Sequence, residues 1–117
     1  NIDQVAHILI INMLRSCIQL DHIAFLLQYI NGKIDDKSDD IIRDSVLYDY
    51  ICRILDALTE KVHSLDSIRD TVEHVTANYE EKIAGARERL NSALEIIVVA
   101  YYASLVKKHA DGLLSNI

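Results

Sequence analysis

Five histidines, two cysteines and a run of aspartates are the side chains in this 117-residue chain whose types invite a chemical reading. The histidines are His7, His22, His63, His74 and His109. A helical metal site needs ligands one turn apart on one face, as in HxxxH or HExxH, and neither spacing occurs. Glu60 and His63 form one ExxH pair, the spacing by which di-iron bundles present ligands. Such a site needs a second ExxH and two more inward glutamates. Here the single pair falls on the polar side of its segment, so it reads as surface. Asp35, Asp36, Asp39 and Asp40 offer oxygens to calcium, but the glycine and closing glutamate of an EF-hand are missing. Carboxylates at a helix start, where the dipole favours them, account for the run better. Cys17 and Cys52 sit equidistant from the first connector, at one height in an antiparallel hairpin. Cys17 lies at the centre of an apolar face and Cys52 on a flank, whereas a disulfide needs facing Cβ atoms. Two thiols in a reducing compartment, and hence a cytoplasmic protein, are the expectation.

Arg69 and His74 have the RxxxxH spacing found in helical RNases of the HEPN class, with Asp70 as the polar residue after the arginine. An acidic setting suits RNA poorly, so these too read as surface charge. Tyr79, Tyr101 and Tyr102 would line a ligand cavity only if the chain folds back near Gly85. Otherwise they are core or interface tyrosines whose hydroxyls need partners. No Ser-His-Asp arrangement, phosphate-binding glycine loop or cofactor fingerprint is present. The expectation is no catalytic residue, no metal and no cofactor.

The elements that position these residues can be read from composition. One domain over residues 1–117 is expected from length, and half of the residues are hydrophobic, which opposes disorder. There is no proline and there are three glycines, too few for strands joined by tight turns, so the chain reads as all-α. The net charge of −6 opposes nucleic acid and anionic lipid as partners. Asn1 stands where a start methionine would, which suggests a processed product or a piece of something longer.

The helical period predicts an antiparallel bundle of three long helices with coiled-coil-like packing, or four with a fold-back near Gly85. The first helix runs from Asp3 to Asn31 and gathers Val5, Leu9, Met13, Cys17, Leu20, Ala24, Leu27 and Ile30 on one face. Gly32 should end it in a left-handed conformation. The second, capped near Ser38, runs to about His63 and buries Ile41, Leu47, Ile51, Ile54, Leu55, Leu58 and Val62. A turn at Ser64–Ser67 leads to the third, with a narrow seam of Leu65, Ile68, Val72, Val75, Tyr79, Ile83, Ala86, Leu90, Ala93 and Ile97. Its steps alternate three and four, with an extra four between Tyr79 and Ile83, the signature of a stutter. The residues around Gly85 are strong helix formers, so a continuous third helix is favoured, ending near Asp111-Gly112, with 113–117 frayed.

Leu94 to Val106 (LEIIVVAYYASLV) dominates this plan. Between Glu95 and Lys107 it has no charge, and a helix apolar on every side must be covered on every side. It is shorter than the roughly 20 apolar residues of a bilayer span. A continuous third helix would leave it, and the apolar start of the first helix, uncovered within one chain. A second copy, laid antiparallel, would cover both. A fold-back would bring the two together in one subunit. In either case both stretches should be dry. The expected function is therefore a non-enzymatic module that self-associates, as a homodimer or on a partner's helix, through Ile97, Val98, Tyr101, Tyr102 and Leu105 with Ile8, Ile11 and Leu14 against them. The alternatives are a ligand- or metal-binding bundle and the soluble stalk of a larger, possibly membrane, protein. The run IIRDSVLYDYICRILDAL (41–58) resembles the stalk helices of CorA-type magnesium channels, which implies long helices packed in a narrow seam. The GMN signature and membrane spans of that family are absent from this sequence, and no site residue is carried over from the likeness.

Overall fold

The computed structural model describes residues 1–32, 40–59 and 65–117. The described residues form five helices and no strand: α1 Ile2–Leu14, α2 Leu20–Asn31, α3 Asp44–Thr59, α4 Leu65–Val75 and α5 Ala86–Ser115. The all-α class is as expected, but three long helices are not what forms. The expected cap at Ser38, the aspartates 35, 36 and 39, and the Glu60–His63 pair lie outside the described residues.

The expected first helix breaks at 15–19, without glycine or proline. Ser16 Oγ donates to the Met13 carbonyl at 3.1 Å, and Cys17 Sγ to the Leu14 carbonyl at 3.5 Å. Hydroxyl and thiol thus satisfy the last carbonyls of α1 locally, an alternative to continuing the ladder. Gln19 is then extended (φ −64°, ψ 147°) and α2 begins. Gly32 ends α2 with a positive φ of 67°, as expected, but its ψ of −142° lies outside the left-handed helical region.

The expected third helix also breaks, at 76–85, so the chain folds back. The stutter between Tyr79 and Ile83 falls inside this turn. The apolar seam survives it: Ile68, Val72 and Val75 on α4 and Ala86, Leu90, Ala93 and Ile97 on α5 are all buried, now facing one another across a hairpin. Helix propensity loses to tertiary packing here, because doubling back buries both halves of the seam. Two polar side chains and a glycine define the turn. The Arg87 guanidinium donates to the Thr76 carbonyl (3.0 Å) and to the Tyr79 carbonyl, and lies over the Tyr79 ring. Glu81, which reads as solvated charge in sequence, accepts from the Arg87 N–H at 2.9 Å and so caps the start of α5. Gly85 immediately precedes α5 at φ 79°.

α1 lies along α3, α4 packs on α3 and α5, and α2 packs on α5. The buried apolar residues form one continuous cluster that draws on all five helices, from Ile10 and Leu14 to Ile97 and Val98. Two buried polar side chains pair within it: the Thr76 hydroxyl lies 2.7 Å from Asn91 Oδ1. That pairing removes most of the cost of burying either group alone.

The two glycines of the C-terminal half separate a fold-back from a continuous helix. A Cβ on either would meet no atom within 4 Å. Gly85→Ala should cost about 1 kcal/mol, because only the left-handed backbone opposes it. Gly112→Ala, inside α5, should stabilise by up to about 1 kcal/mol. Chemical denaturation of both variants checks this; a stabilising Gly85→Ala would mean that the helix runs through.

Candidate functional site

The thirteen-residue apolar stretch divides in two. Leu94, Ile97 and Val98 are fully buried inside the subunit, and so is Leu14 on α1. Three of the residues expected to meet a second copy are therefore core, covered by their own chain because the fold-back brings α5 against α1, α2 and α3. Ile11, Tyr101 and Tyr102 are half-buried, and Ile8 and Leu105 are exposed. Within one subunit neither apolar stretch is fully covered. Ile2, Val5, Ile8 and Leu9 on α1, and Ile96, Leu105 and Val106 on α5, face outward.

The reason is length. At about 1.5 Å per residue the 30 residues of α5 span about 45 Å, whereas α1 to α4 reach about 16 to 24 Å. The molecule measures 54 Å along its longest axis and 27 Å across. From Leu105 onward every residue of α5 is exposed. Leu105 is 39% accessible, Val106 53%, Leu113 58% and Leu114 69%. The helix also passes Gly112 and continues to Ser115 rather than fraying there. At 100° per residue Tyr102, Val106, His109, Ala110 and Leu113 share one side, with Lys108, Asp111 and Ser115 opposite. This amphipathic end was not singled out in the sequence, although the Tyr102–Val106–Leu113 stripe was there to find.

The second feature is a groove. α1 packs chiefly on α3 and α2 chiefly on α5, so these consecutive helices diverge. Between them lies an open cavity of about 820 Å³, walled by Ile8 and Ile11 on one side and Ile23 and Leu27 on the other. One end is closed by a polar corner where the start of α1, the end of α2 and the start of α3 meet. Asn31 fixes that corner: its Oδ1 accepts from the Ile41 and Ile42 N–H groups (3.0 and 3.2 Å) and its Nδ2 donates to the Ile42 carbonyl (2.8 Å). Asp3 accepts from the Ser45 N–H at 3.0 Å and from Arg43 at 3.1 Å, capping α3 from another helix. His7 Nδ1 lies 3.0 Å from Asp44 Oδ2. The hydrogen bonds from Ser45, with Arg43 beside them, hold the Asp3 carboxyl below its ordinary pKa.

The chemically suggestive residues scatter. The Arg69 guanidinium is mostly buried and reaches across to α5, where it donates to Glu88 (2.9 Å) and Glu95 (3.1 Å). Burial works against its charge, but Glu95 and Glu88 more than offset that, and its pKa rises. His74 is exposed on α4. Cys17 and Cys52 are free, half-buried thiols; burial pushes the Cys17 thiol up, and Cys52 beside Tyr48 raises that phenol. Tyr79 donates to the Ile41 carbonyl at 2.7 Å, and Tyr101 lies by Tyr48. Among the described residues no three His, Cys, Asp or Glu side chains gather as metal ligands would.

No protein-family model, curated protein or solved structure matches this chain.

The Asp3 corner carries a pH signature. A carboxyl with a lowered folded pKa adds stability that is complete above its unfolded value, near 3.8, and is lost as pH falls through the lower folded value. The gap in melting temperature between wild type and Asp3→Asn should therefore be constant above that pH and narrow below it. A gap independent of pH would remove Asp3 from the joint.

Proposed function

We propose that this chain is a non-enzymatic helical interaction module, its helices packed as an irregular bundle, that self-associates through the distal half of α5. The observation that carries the reading is the uncovered amphipathic end of that helix. Four large apolar side chains, Leu105, Val106, Leu113 and Leu114, stand in water in one element. Clustered exposed apolar residues rimmed by charge mark contact sites more often than they mark idle surface. The interface envisaged is shifted from the one the sequence suggests: Tyr102, Leu105 and Val106 stay in it with the more distal leucines, while Leu14, Ile97 and Val98 serve the core.

A second reading has its own support. α5 is long and apolar enough to cross a membrane by length and composition. It would then be the span that anchors a stalk formed by the other helices. Against this, a third of its most apolar window is buried inside the subunit, and Lys107, Lys108 and Asp111 interrupt its distal half.

Sedimentation equilibrium at micromolar concentration tests the first reading. The wild type should associate with a concentration-dependent mass. Val106→Asp should give a monomer with an unchanged melting temperature, because the site is exposed. Val98→Asp should instead cost the subunit itself several kcal/mol, since it leaves a buried charge unpaired. A wild type that stays monomeric throughout, or a Val106→Asp that associates normally, overturns the proposal.

A further inference from the structure

We propose that Asn31-Gly32 is a latent deamidation site, held shut in the folded subunit and opened when the end of α2 loosens. Asn31 is the one asparagine in this chain that a glycine follows. Glycine has no Cβ to shield its peptide nitrogen, so that nitrogen can close on the side-chain carbonyl of the asparagine before it. The positive φ that ends α2 favours glycine at position 32, and the same glycine sets Asn31 beside an unshielded nucleophile.

The reaction consumes only water. Hydroxide takes the Gly32 N–H proton, and the nitrogen attacks Cγ of Asn31. The bond from nitrogen to Cγ forms, the Cγ–Nδ2 bond breaks, and ammonia leaves with a proton from water. A second water opens the five-membered imide. Opening at Cγ leaves an aspartate; opening at the backbone carbonyl leaves an isoaspartate, with the main chain rerouted through the side chain. Amide and water have become acid and ammonia, with no oxidation or reduction. Asn31 and Gly32 are half-buried and line the α1–α2 groove, so water has access and ammonia has an exit.

The folded chain keeps the ring from closing. The Gly32 N–H donates to the Gln28 carbonyl at 2.7 Å, which engages the proton that must leave. Asn31 belongs to α2, so its backbone must leave the helix before the Gly32 nitrogen can turn toward Cγ. Its amide is tied to α3, with Oδ1 accepting from the Ile41 and Ile42 N–H groups and Nδ2 donating to the Ile42 carbonyl. Two N–H groups on Oδ1 polarise Cγ, as an oxyanion hole does. The fold therefore withholds the nucleophile, not the electrophile. The latch comes from α5. The Arg89 guanidinium donates to the Tyr29 carbonyl at 2.9 Å and to the Ile30 carbonyl at 3.3 Å, closing the last turn of α2. Helix ends are the first backbone to open locally.

The product does not return to the joint. Nδ2 meets the Ile42 carbonyl as a donor, and a carboxylate puts an oxygen without a proton in its place. Conversion is therefore a one-way loosening of the corner where α2 meets α3.

Peptide mapping by mass spectrometry tests this on the full chain, kept at mildly alkaline pH in buffer and in denaturing guanidinium chloride. In denaturant Asn31 should convert to a mixture of aspartate and isoaspartate. In buffer its rate should be at least about tenfold lower, since only the opened helix end reacts. Arg89→Met keeps the apolar stem and removes the cap. It should raise the rate in buffer several-fold and leave the rate in denaturant unchanged, with circular dichroism showing that it is folded. Asn31→Asp should lower the melting temperature by at least about 3 °C. Equal rates in buffer and denaturant, or an Asn31 that survives in denaturant, overturn the proposal. A folded Arg89→Met that reacts in buffer no faster than wild type removes the latch from α5 and overturns it as well. If Arg89→Met does not fold, the wild-type comparison decides alone. An Asn31→Asp that melts with wild type contradicts the one-way loosening.

Discussion

A helix of 30 residues set in a body built from helices of 11 to 16 residues cannot be covered along its whole length. That mismatch governs the rest of this molecule. The first half of α5 becomes the spine of the core, with Leu90, Ala93, Leu94, Ile97 and Val98 sealed by the shorter helices around it. The second half leaves the body while still carrying leucine and valine. Burial of apolar surface is the main favourable term in folding, so the two halves of one helix carry the two properties of the chain: the inner half holds the fold together and the outer half holds surface that folding alone does not hide.

Polar contacts decide where the short helices stop. Asn31 ties the end of α2 to the start of α3 through three hydrogen bonds to backbone groups. Arg89 donates to the Tyr29 and Ile30 carbonyls, so a cation of α5 caps the C-terminal end of α2. Glu81 and Arg87 shape the turn into α5, and Arg69 links α4 to Glu88 and Glu95 on α5. The contacts of Asn31, Arg89, Glu81 and Arg87 satisfy backbone groups at or beside helix ends that would otherwise lack partners, while Arg69 cross-links two helix flanks. Arg89 ties α2 to α5 while Asp3, through Ser45 and Arg43, ties α1 to α3, and the groove lies between α1 and α2.

The all-α class, the buried face of α3 and most of the seam from Ile68 to Ile97 were legible in sequence from the 3.6-residue period, but the face read for the first helix was not: Val5, Leu9 and Leu20 are exposed while Ala6, Ile10 and Leu14 are buried, because the break at 15–19 resets the helix phase and its neighbours. Gly32 was legible as a helix end. The breaks at 15–19 and 76–85 were not. Neither carries proline, and both depend on particular side-chain contacts: Ser16 and Cys17 on carbonyls three residues back in α1, and Glu81 and Arg87 on the turn before α5. The stutter between Tyr79 and Ile83 was visible and marks the second break, but the helix-forming residues beside it argued the other way. Unbroken apolarity identified the helix that leaves apolar surface uncovered, yet could not say which half the core would use, because that depends on how far the neighbouring helices reach.

Amide hydrogen exchange across α5, followed by mass spectrometry at two protein concentrations, tests the central claim most directly. In dilute protein, amides of Leu90 to Val98 should be protected by the full stability of the fold, and those of Leu105 to Ser115 should exchange fast. Raising the concentration should protect the outer half and leave the inner half as it was. Equal, concentration-independent protection along the whole helix would contradict the division of α5 into a buried spine and an uncovered end.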